Sequence, residues 1–360
     1  MEVKMEDKKY SIWLSGLPQI GSRKYISLIE YFGSAKRVFE SSKNELLESG
    51  ILNEKIVDII ITKRDIDKID RYMKKVKEND IKVYTIDEDE YPKNLKNIYD
   101  PPPVIYVRGN IKDEDENAIA VVGSRKASDY GLKTAEKLGI ELAEAGITVV
   151  SGMALGVDSA AHRGALKAGG RTIAVFACGL NFVYPKSGYN LAKEIAKQGA
   201  IISEYPLGIE ALPQNFPARN RIISGLAKGV VVVEANEKSG SLITADFALE
   251  QGRDVFAVPG NIGVPNSRGT NELIKDGAKI VTCTNDILEE YGYSHNKIID
   301  RVERLDSEHK LILKCLECSG KSIDEIIEYT KLNISDVLSK ILQLEIMGII
   351  KEIDNLYYKN

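Results

Sequence analysis

Two rhythms of apolar and polar residues alternate between Ala118 and Asp158. Ala118 to Val122 is an unbroken apolar run ending in Gly-Ser-Arg, and Ile147 to Val150 is a second one ending in Ser-Gly. Between them Leu132, Ala135, Leu138, Leu142 and Ala145 recur three and four apart, which is helical spacing. The pattern predicts strand, turn, helix, strand, turn, half of a doubly wound sheet whose turns lie at strand carboxyl ends, where open α/β sheets bind ligands. Further strands are predicted at 172–177, 200–203, 229–233, 254–258 and 279–281, with helices near 159–168, 189–197, 220–227, 244–251 and 271–275. That alternation predicts a mainly parallel, right-handed sheet.

The flanks read differently. Ser11 to Ile61 is helical with short loops, and Asp65 to Asn79 is a charged helix that reads as a solvated connector. Strands at 81–86 and 104–107, the second behind the stiff turn Pro101-Pro102-Pro103, are expected to extend the sheet. After Cys283 the sheet pattern stops. Ser294 to Leu305 is polar, a linker, followed by helical stretches 307–318, 322–330 and 335–348 and a hairpin over 349–358 turning at Asp354-Asn355. Three helices and a wing make a winged-helix module.

Composition narrows the class. A chain of 360 residues with 43% hydrophobic content is long enough for more than one domain. It has no run near the roughly 18 apolar residues of a membrane span, and MEVKMEDKKY lacks an apolar signal core, so no membrane association and a cytoplasmic location are expected. Four cysteines fit no disulfide framework; Cys315 and Cys318 form a CxxC without a second pair, and no metal is expected. The net charge of −4 predicts no bulk attraction to nucleic acid, yet Ala118 to Gly225 carries twelve Lys/Arg against eight Asp/Glu, a local excess of four.

That excess gathers after the strands. Gly123 and Gly152 let backbone amides approach an anion, and Arg125 adds a planar cation suited to phosphate. The same edge is expected to hold Lys186, the run Phe216-Pro217-Ala218-Arg219-Asn220-Arg221, and hydroxyls at Ser124, Ser151, Ser239, Ser241 and Thr244, with Phe216 and Tyr184 as stacking faces. Such a cleft suits a polyphosphate or a single-stranded nucleic acid. Arg219 and Arg221 cannot share one helical face, so one of them is free to pin the fold through a carboxylate. Leu17-Pro18-Gln19-Ile20-Gly21 followed by Ser22-Arg23-Lys24 resembles a helix-hairpin-helix turn, with Gln19 where glycine is common; such modules also serve as plain packing domains.

Two enzyme readings compete. A dinucleotide oxidoreductase needs GxGxxG and an acidic residue ending the second strand, and here Gly123 is followed by Ser-Arg and that strand ends in Ser-Gly. A phosphoribohydrolase-like enzyme acting on nucleotides needs carboxylates in the cleft, for which Asp158, Glu204 and Glu234 are the candidates. Asp158 reads more simply as a helix N-cap, and His162 as a structural histidine.

The motifs VVGSR (121–125), SGMALGVDSAAH (151–162), YPKSGYNLAKEI (184–195), SEYPLG (203–208), FPARNRIISGL (216–226), EANEKSGSLITADFALEQGRDVFAVPG (234–260) and GTNELIKDGA (269–278) resemble, in one order over about half the chain, the DNA-processing protein A (DprA/Smf) family. The resemblance implies an α/β fold with an extended Rossmann-like, mainly parallel sheet and no cofactor, whose pocket holds DNA phosphates and an exposed base, together with a non-enzymatic role loading RecA recombinase onto single-stranded DNA in natural transformation. The family's phosphate-binding arginine falls on Arg125 and its pocket lysine on Lys186. The site then comprises Gly123, Ser124, Arg125, Ser151, Gly152, Lys186, Phe216, Arg219, Asn220, Arg221, Ser239, Ser241 and Thr244. Homodimerisation through the late part of the domain points to Leu273, Ile274 and Ile280. The domains are expected at 1–64 (helical, SAM or helix-hairpin-helix-like), 65–293 (sheet), 294–306 (linker) and 307–360 (winged helix). The last helix carries Lys340 against Asp336 and Glu345, which favours a protein contact or a weak auxiliary DNA role.

Overall fold

Strands of four to six residues, mostly buried on both faces, build the centre of the molecule, which is why they read as continuous apolar runs rather than alternating ones. The computed structural model describes residues 2–293, 305–316, 320–346, 349–353 and 356–359. The chain forms two compact units, Met1–Ile287 and Leu288–Asn360.

In the first unit β1 (Lys82–Thr85), β2 (Val104–Gly109), β3 (Ala118–Val122), β4 (Thr148–Ser151), β5 (Thr172–Val175), β6 (Ala200–Ser203), β7 (Gly229–Val232), β8 (Asp254–Ala257) and β9 (Lys279–Ile280) form one nine-stranded sheet in the order β1-β2-β6-β5-β4-β3-β7-β8-β9. β6 through β9 run parallel in that order, while β2 pairs antiparallel with both β1 and β6. One face of the sheet buries Leu95, Ile105, Val122, Ile222 and Val230, the other Ile12, Tyr106, Met153, Phe176 and Ile195.

Six helices precede the sheet: α1 (Glu2–Ser15), α2 (Ser22–Phe32), α3 (Ala35–Glu40), α4 (Lys43–Glu48), α5 (Glu54–Thr62) and α6 (Ile66–Glu78). Side chains of Ser34, Ser42, Asn53 and Asp65 each accept a backbone N–H at the start of the next helix, and Gly33 ends α2 at φ 84. Trp13, Leu14, Leu28, Val38, Leu46 and Ile60 share a core, and the Trp13 indole donates to the Lys63 carbonyl at 2.9 Å. The charged helix α6 is not a solvated connector. It buries Ile69 and Val76, Tyr72 meets Tyr106 edge to face at 6.5 Å, and the Tyr72 hydroxyl accepts the Leu207 N–H at 2.8 Å. Apolar residues at 69, 72, 73 and 76 give one packed stripe on an otherwise charged cylinder.

Within the sheet region lie α7 (Lys93–Lys96), α8 (Asp129–Glu144), α9 (Val157–Lys167), α10 (Tyr189–Gln198), α11 (Asn215–Leu226), α12 (Gly240–Glu250) and α13 (Pro265–Lys275). Three begin earlier than periodicity predicts. α11 takes Pro217 into its first turn, where a missing N–H costs nothing, and α13 opens on Pro265 in the same way; α12 opens four residues before Thr244, on Gly240 behind the Ser239 cap.

The second unit contains helices Ser307–Cys315, Ile323–Thr330 and Ile334–Ile346 and a ribbon of Ile350–Ile353 against Leu356–Lys359, the winged-helix arrangement, packed around Ile312, Ile326, Val337, Ile341 and Leu344. Residues 294–304 of the expected linker, Cys318 of the CxxC and the turn at Asp354-Asn355 lie outside the described residues. Among the described residues no helix is long and apolar enough to cross a membrane, and no group of three or more His, Cys, Asp or Glu is placed to hold a metal ion.

Candidate nucleic-acid interface

The direction of winding reverses beside β3: β4, β5 and β6 lie to one side, β7, β8 and β9 to the other. Loops leaving adjacent strands in opposite directions open a crevice at their carboxyl ends. Here it is a cleft of about 740 Å³, lined by Gly123–Lys126 after β3, Asn236 and Lys238–Ser241 after β7, Asp158 of α9, Tyr184, and Phe216, Pro217, Arg219 and Asn220 from the start of α11.

The first turn is held from below by Glu234. Its carbonyl accepts the Ser124 N–H at 2.7 Å; its carboxylate accepts the Ser128 N–H at 2.9 Å and the Ser128 hydroxyl. Ser128 in turn caps α8 by accepting from the Gly131 N–H. A Cβ at Gly123 would stand 2.7 Å from the Val157 side chain and 2.9 Å from the Glu234 carbonyl, so this position needs glycine to let the turn, α9 and β7 meet.

The second turn is equally occupied. Ser151 donates to the Val121 carbonyl at 2.6 Å. Asp158 is not the N-cap of α9, a place taken by Gly156 at φ 82; its carboxylate instead accepts the N–H groups of Gly152 and Ala154, each at 3.2 Å. Burial pushes the Asp158 carboxyl up, opposed by Arg219 and by those two amides. Arg219 Nη1 donates to the Gly152 carbonyl at 2.7 Å and to the Val175 carbonyl, and burial pulls its guanidinium down to about 10. The turn amides expected to cradle an anion are therefore corrected: those of Ser124, Gly152 and Ala154 are bound within the protein, because a buried N–H needs a partner whether or not ligand is present. Ser151 and Gly152 back the cleft without lining it.

Side chains remain to meet a ligand. Arg125 is exposed, its guanidinium 5.2 Å from the Phe216 ring centre, and Phe216 meets Tyr184 at 5.3 Å and 62°. Tyr184 is 50% exposed, which leaves a ring face open beside the cation. Arg125, Lys126, Arg219 and Lys238 line the cleft against one carboxylate, that of Asp158. Ser239 and Ser241 hydroxyls share a 2.7 Å hydrogen bond at the start of α12, Thr244 lies one turn further on, and the Asn220 amide donates to the Gly240 carbonyl at 3.1 Å.

Two expected members stand elsewhere. Lys186 is exposed on the short turn Lys186–Gly188 that leads into α10; it does not line the cleft, though Tyr184 two residues earlier does. Arg221 faces away, with Nε 2.9 Å from Asp100 and Nη2 2.6 Å from Glu204, so of the two arginines on α11 it is the one that pins the fold through carboxylates. Glu204 is thereby spent, its carboxyl pushed up by burial against the pull of Arg221. His162 is buried, with Nδ1 2.6 Å from the Thr172 hydroxyl; that hydroxyl donates to Val149, so Nδ1 carries the proton and the ring is neutral, with burial holding it down at about 3. Leu273 packs partly on the sheet core, Ile274 is half-buried, and Ile280 is 50% exposed at the end of the edge strand β9.

Known proteins share this plan. The profile described as DNA recombination-mediator protein A matches residues 82–292, and that of the DprA winged helix domain matches 301–353. The chain belongs to the DNA recombination-mediator protein A family. Protein Smf of Synechocystis sp. is 31% identical over 396 aligned positions, covering 99% of this chain and 100% of the relative. The DNA processing protein DprA of Streptococcus pneumoniae is 46% identical over 210 residues, 58% of this chain and 74% of the relative. The X-ray structure of DprA from S. pneumoniae superposes with a TM-score of 0.70 at 38% identity, covering 78% of this chain and 97% of that one. DNA processing protein A of Helicobacter pylori, solved for its single-stranded DNA binding mode, gives 0.53 at 31% identity, covering 61% and 96%.

In this member of the DNA recombination-mediator protein A family, sequence reasoning missed Lys126, Asn236, Lys238 and Asn266, all of which line the cleft. The signal was present for the first three: they belong to the same post-strand loops as Arg125 and Ser239. Asn266 comes from α13 and reaches the first turn by donating to the Lys126 carbonyl at 2.9 Å, a contact across 140 positions that no local pattern reveals.

Proposed function

We propose that this protein binds single-stranded DNA in the cleft beside β3 and β7 and passes the strand to RecA recombinase, acting as a homodimer and without turnover. One observation carries the reading: exposed Arg125 over the Phe216 ring, which Tyr184 meets edge-on, in a cleft with four cations to one carboxylate. Phosphates neutralised by Arg125, Lys126 and Lys238 release counterions, and an unpaired base has a ring face to stack on. A duplex offers no such base. The binding mode ascribed to the H. pylori relative supports the same ligand class. Lys186, exposed just past Tyr184, serves as a flanking phosphate contact.

The competing reading, an enzyme acting on nucleotides, requires an uncommitted carboxylate in the cleft. Glu234 is engaged by Ser128, Glu204 by Arg221, and Asp158 by two amides. Filter binding of a dT oligonucleotide across a salt series, beside a nucleotide-hydrolysis assay, tests the two together. Salt-dependent binding without turnover is expected; turnover by the pure protein, or no binding at low salt, overturns the reading. Delivery to RecA predicts that RecA is retained by the immobilised full chain. The dimer, placed at Leu273, Ile274 and Ile280, predicts that Ile280→Asp yields a monomer by light scattering.

A further inference from the structure

The hairpin Leu17–Gly21 takes no part in the cleft, yet it faces a hollow of its own. This second hollow, about 500 Å³, is bounded by the hairpin and the start of α2 on one side and by Asp100, Glu204, Ala218 and Arg221 on the other. Gln19 stands at φ 67, the left-handed conformation that a glycine takes with ease, and so reverses the chain. α2 then starts at the hollow with Gly21 as its N-cap and no side chain satisfying the first-turn amides, while the Ser22 hydroxyl bonds to the Pro101 carbonyl.

Cations converge on the same space. Arg23 lies 4.1 Å over the ring of Tyr99, which is 75% exposed, and Lys24 joins it on the wall. Arg221 lines the hollow with its side chain nine-tenths buried; Nε and Nη2 are given to Asp100 and Glu204, and Nη1 has no hydrogen-bond partner among the described residues. Arg221 supplies one positive charge against the two carboxylates, so with Arg23 and Lys24 the hollow holds three cations to two carboxylates, an excess of one positive charge carried on its exposed wall by Arg23 and Lys24.

α11 joins this hollow to the cleft. Phe216, Pro217, Arg219 and Asn220 line the cleft, whereas Ala218 and Arg221 of the same helix line the hollow. Pro217 and Ala218 are both exposed, so the first turn of α11 is a low ridge between two basic depressions. We propose that the hollow is a second phosphate site, taking a phosphodiester of the strand whose bases occupy the cleft, with Arg23 and Lys24 neutralising it and Tyr99 offering a stacking face. This extends the single-strand reading above and rests on it. A strand a few nucleotides long fills the cleft alone; a longer one crosses the ridge and gains the second contact.

The test compares full-length parent with Arg23→Ala/Lys24→Ala, two surface changes that leave the Arg221 pairs in place. Oligo-dT of about 6 and about 25 nucleotides, one near the short end of ordinary single-strand site sizes and one beyond them, would be titrated across a salt series. The variant is expected to bind the short strand as the parent does, and to lose about 0.7 from the log–log salt slope for each phosphate contact removed on the long one. Arg23→Lys/Lys24→Arg should restore the slope. Equal slopes and affinities of parent and Ala variant for the long strand overturn the proposal. Photo-crosslinking from an azidophenacyl phosphorothioate backbone separates the two readings. A long single strand should label the peptide carrying Ser22–Lys24. If the parent binds no single strand, the cleft reading falls; a duplex of the same length that labels this peptide would then retain the hollow as a phosphate site, and no label would remove both.

Discussion

The cleft and the third helix of the winged module both sit where proteins commonly meet nucleic acid, and they handle positive charge in opposite ways. Arg125, Lys126 and Lys238 stand exposed around one carboxylate that is itself bound by two amides. Ile334–Ile346 has a single cation, Lys340, and it is committed to Asp306 and, at 3.3 Å, to Glu308. Outward on that helix are Ile334, Leu338 and Leu342, at 59%, 44% and 57% exposure, a stripe at i, i+4, i+8. A groove in DNA wants the first arrangement. The lesson is that a basic residue counts toward ligand binding only when the fold has not already assigned it a carboxylate.

The contrast can be broken most severely at α11. Arg221→Met strands Asp100 and Glu204 without their cation in a mostly buried site, and should lower stability by about 3 kcal/mol in urea denaturation; a loss near zero would mean that water replaces the arginine there. Arg125→Ala removes an uncommitted cation, so the fold should hold while single-strand affinity falls about tenfold and the salt slope drops by about 0.7. Lys340→Ala sharpens the comparison from the other side: neither affinity nor slope should move, and a drop matching that of Arg125→Ala would show that the winged module touches the strand.

A subtler effect belongs to His162. Burial lowers it from 6.5 to about 3, so the unfolded chain takes up a proton that the folded one refuses. The stability contributed by the neutral ring is complete above about pH 6.5 and drains as the pH falls toward about 3. His162→Gln should therefore flatten the dependence of the urea midpoint on pH between 7 and 4, compared with the parent; equal slopes would mean that the ring is protonated in the native state.

Much of this architecture is legible in the sequence for a simple reason. β3, β4, β6 and β7 are buried on both faces and show as continuous apolar runs, and the glycine turns after β3 and β4 mark the ligand edge. Three things were not legible. The antiparallel pairing of β2 with β6 depends on contacts nearly a hundred residues apart, such as Tyr106 with Ser203. α11 hides its start behind Pro217, which periodicity treats as a breaker although a first helical turn accepts it. Finally, Asp158 reads as a helix N-cap and Glu234 as a cleft carboxylate, beside turn amides that read as spare donors, and folding joins these acceptors to those donors instead. Donor and acceptor inventories drawn up residue by residue do not reveal which entries cancel.

The grip of Glu234 on Ser124 and Ser128 sets the rim of the receptor before any ligand arrives. On the single-strand reading proposed above, a rim set in advance leaves the adjustment on encounter chiefly to the polynucleotide, and its own stiffness becomes the selector. Weakly stacked pyrimidine tracts should displace purine tracts of equal length in a competition assay, a preference written with no hydrogen bond to any base edge.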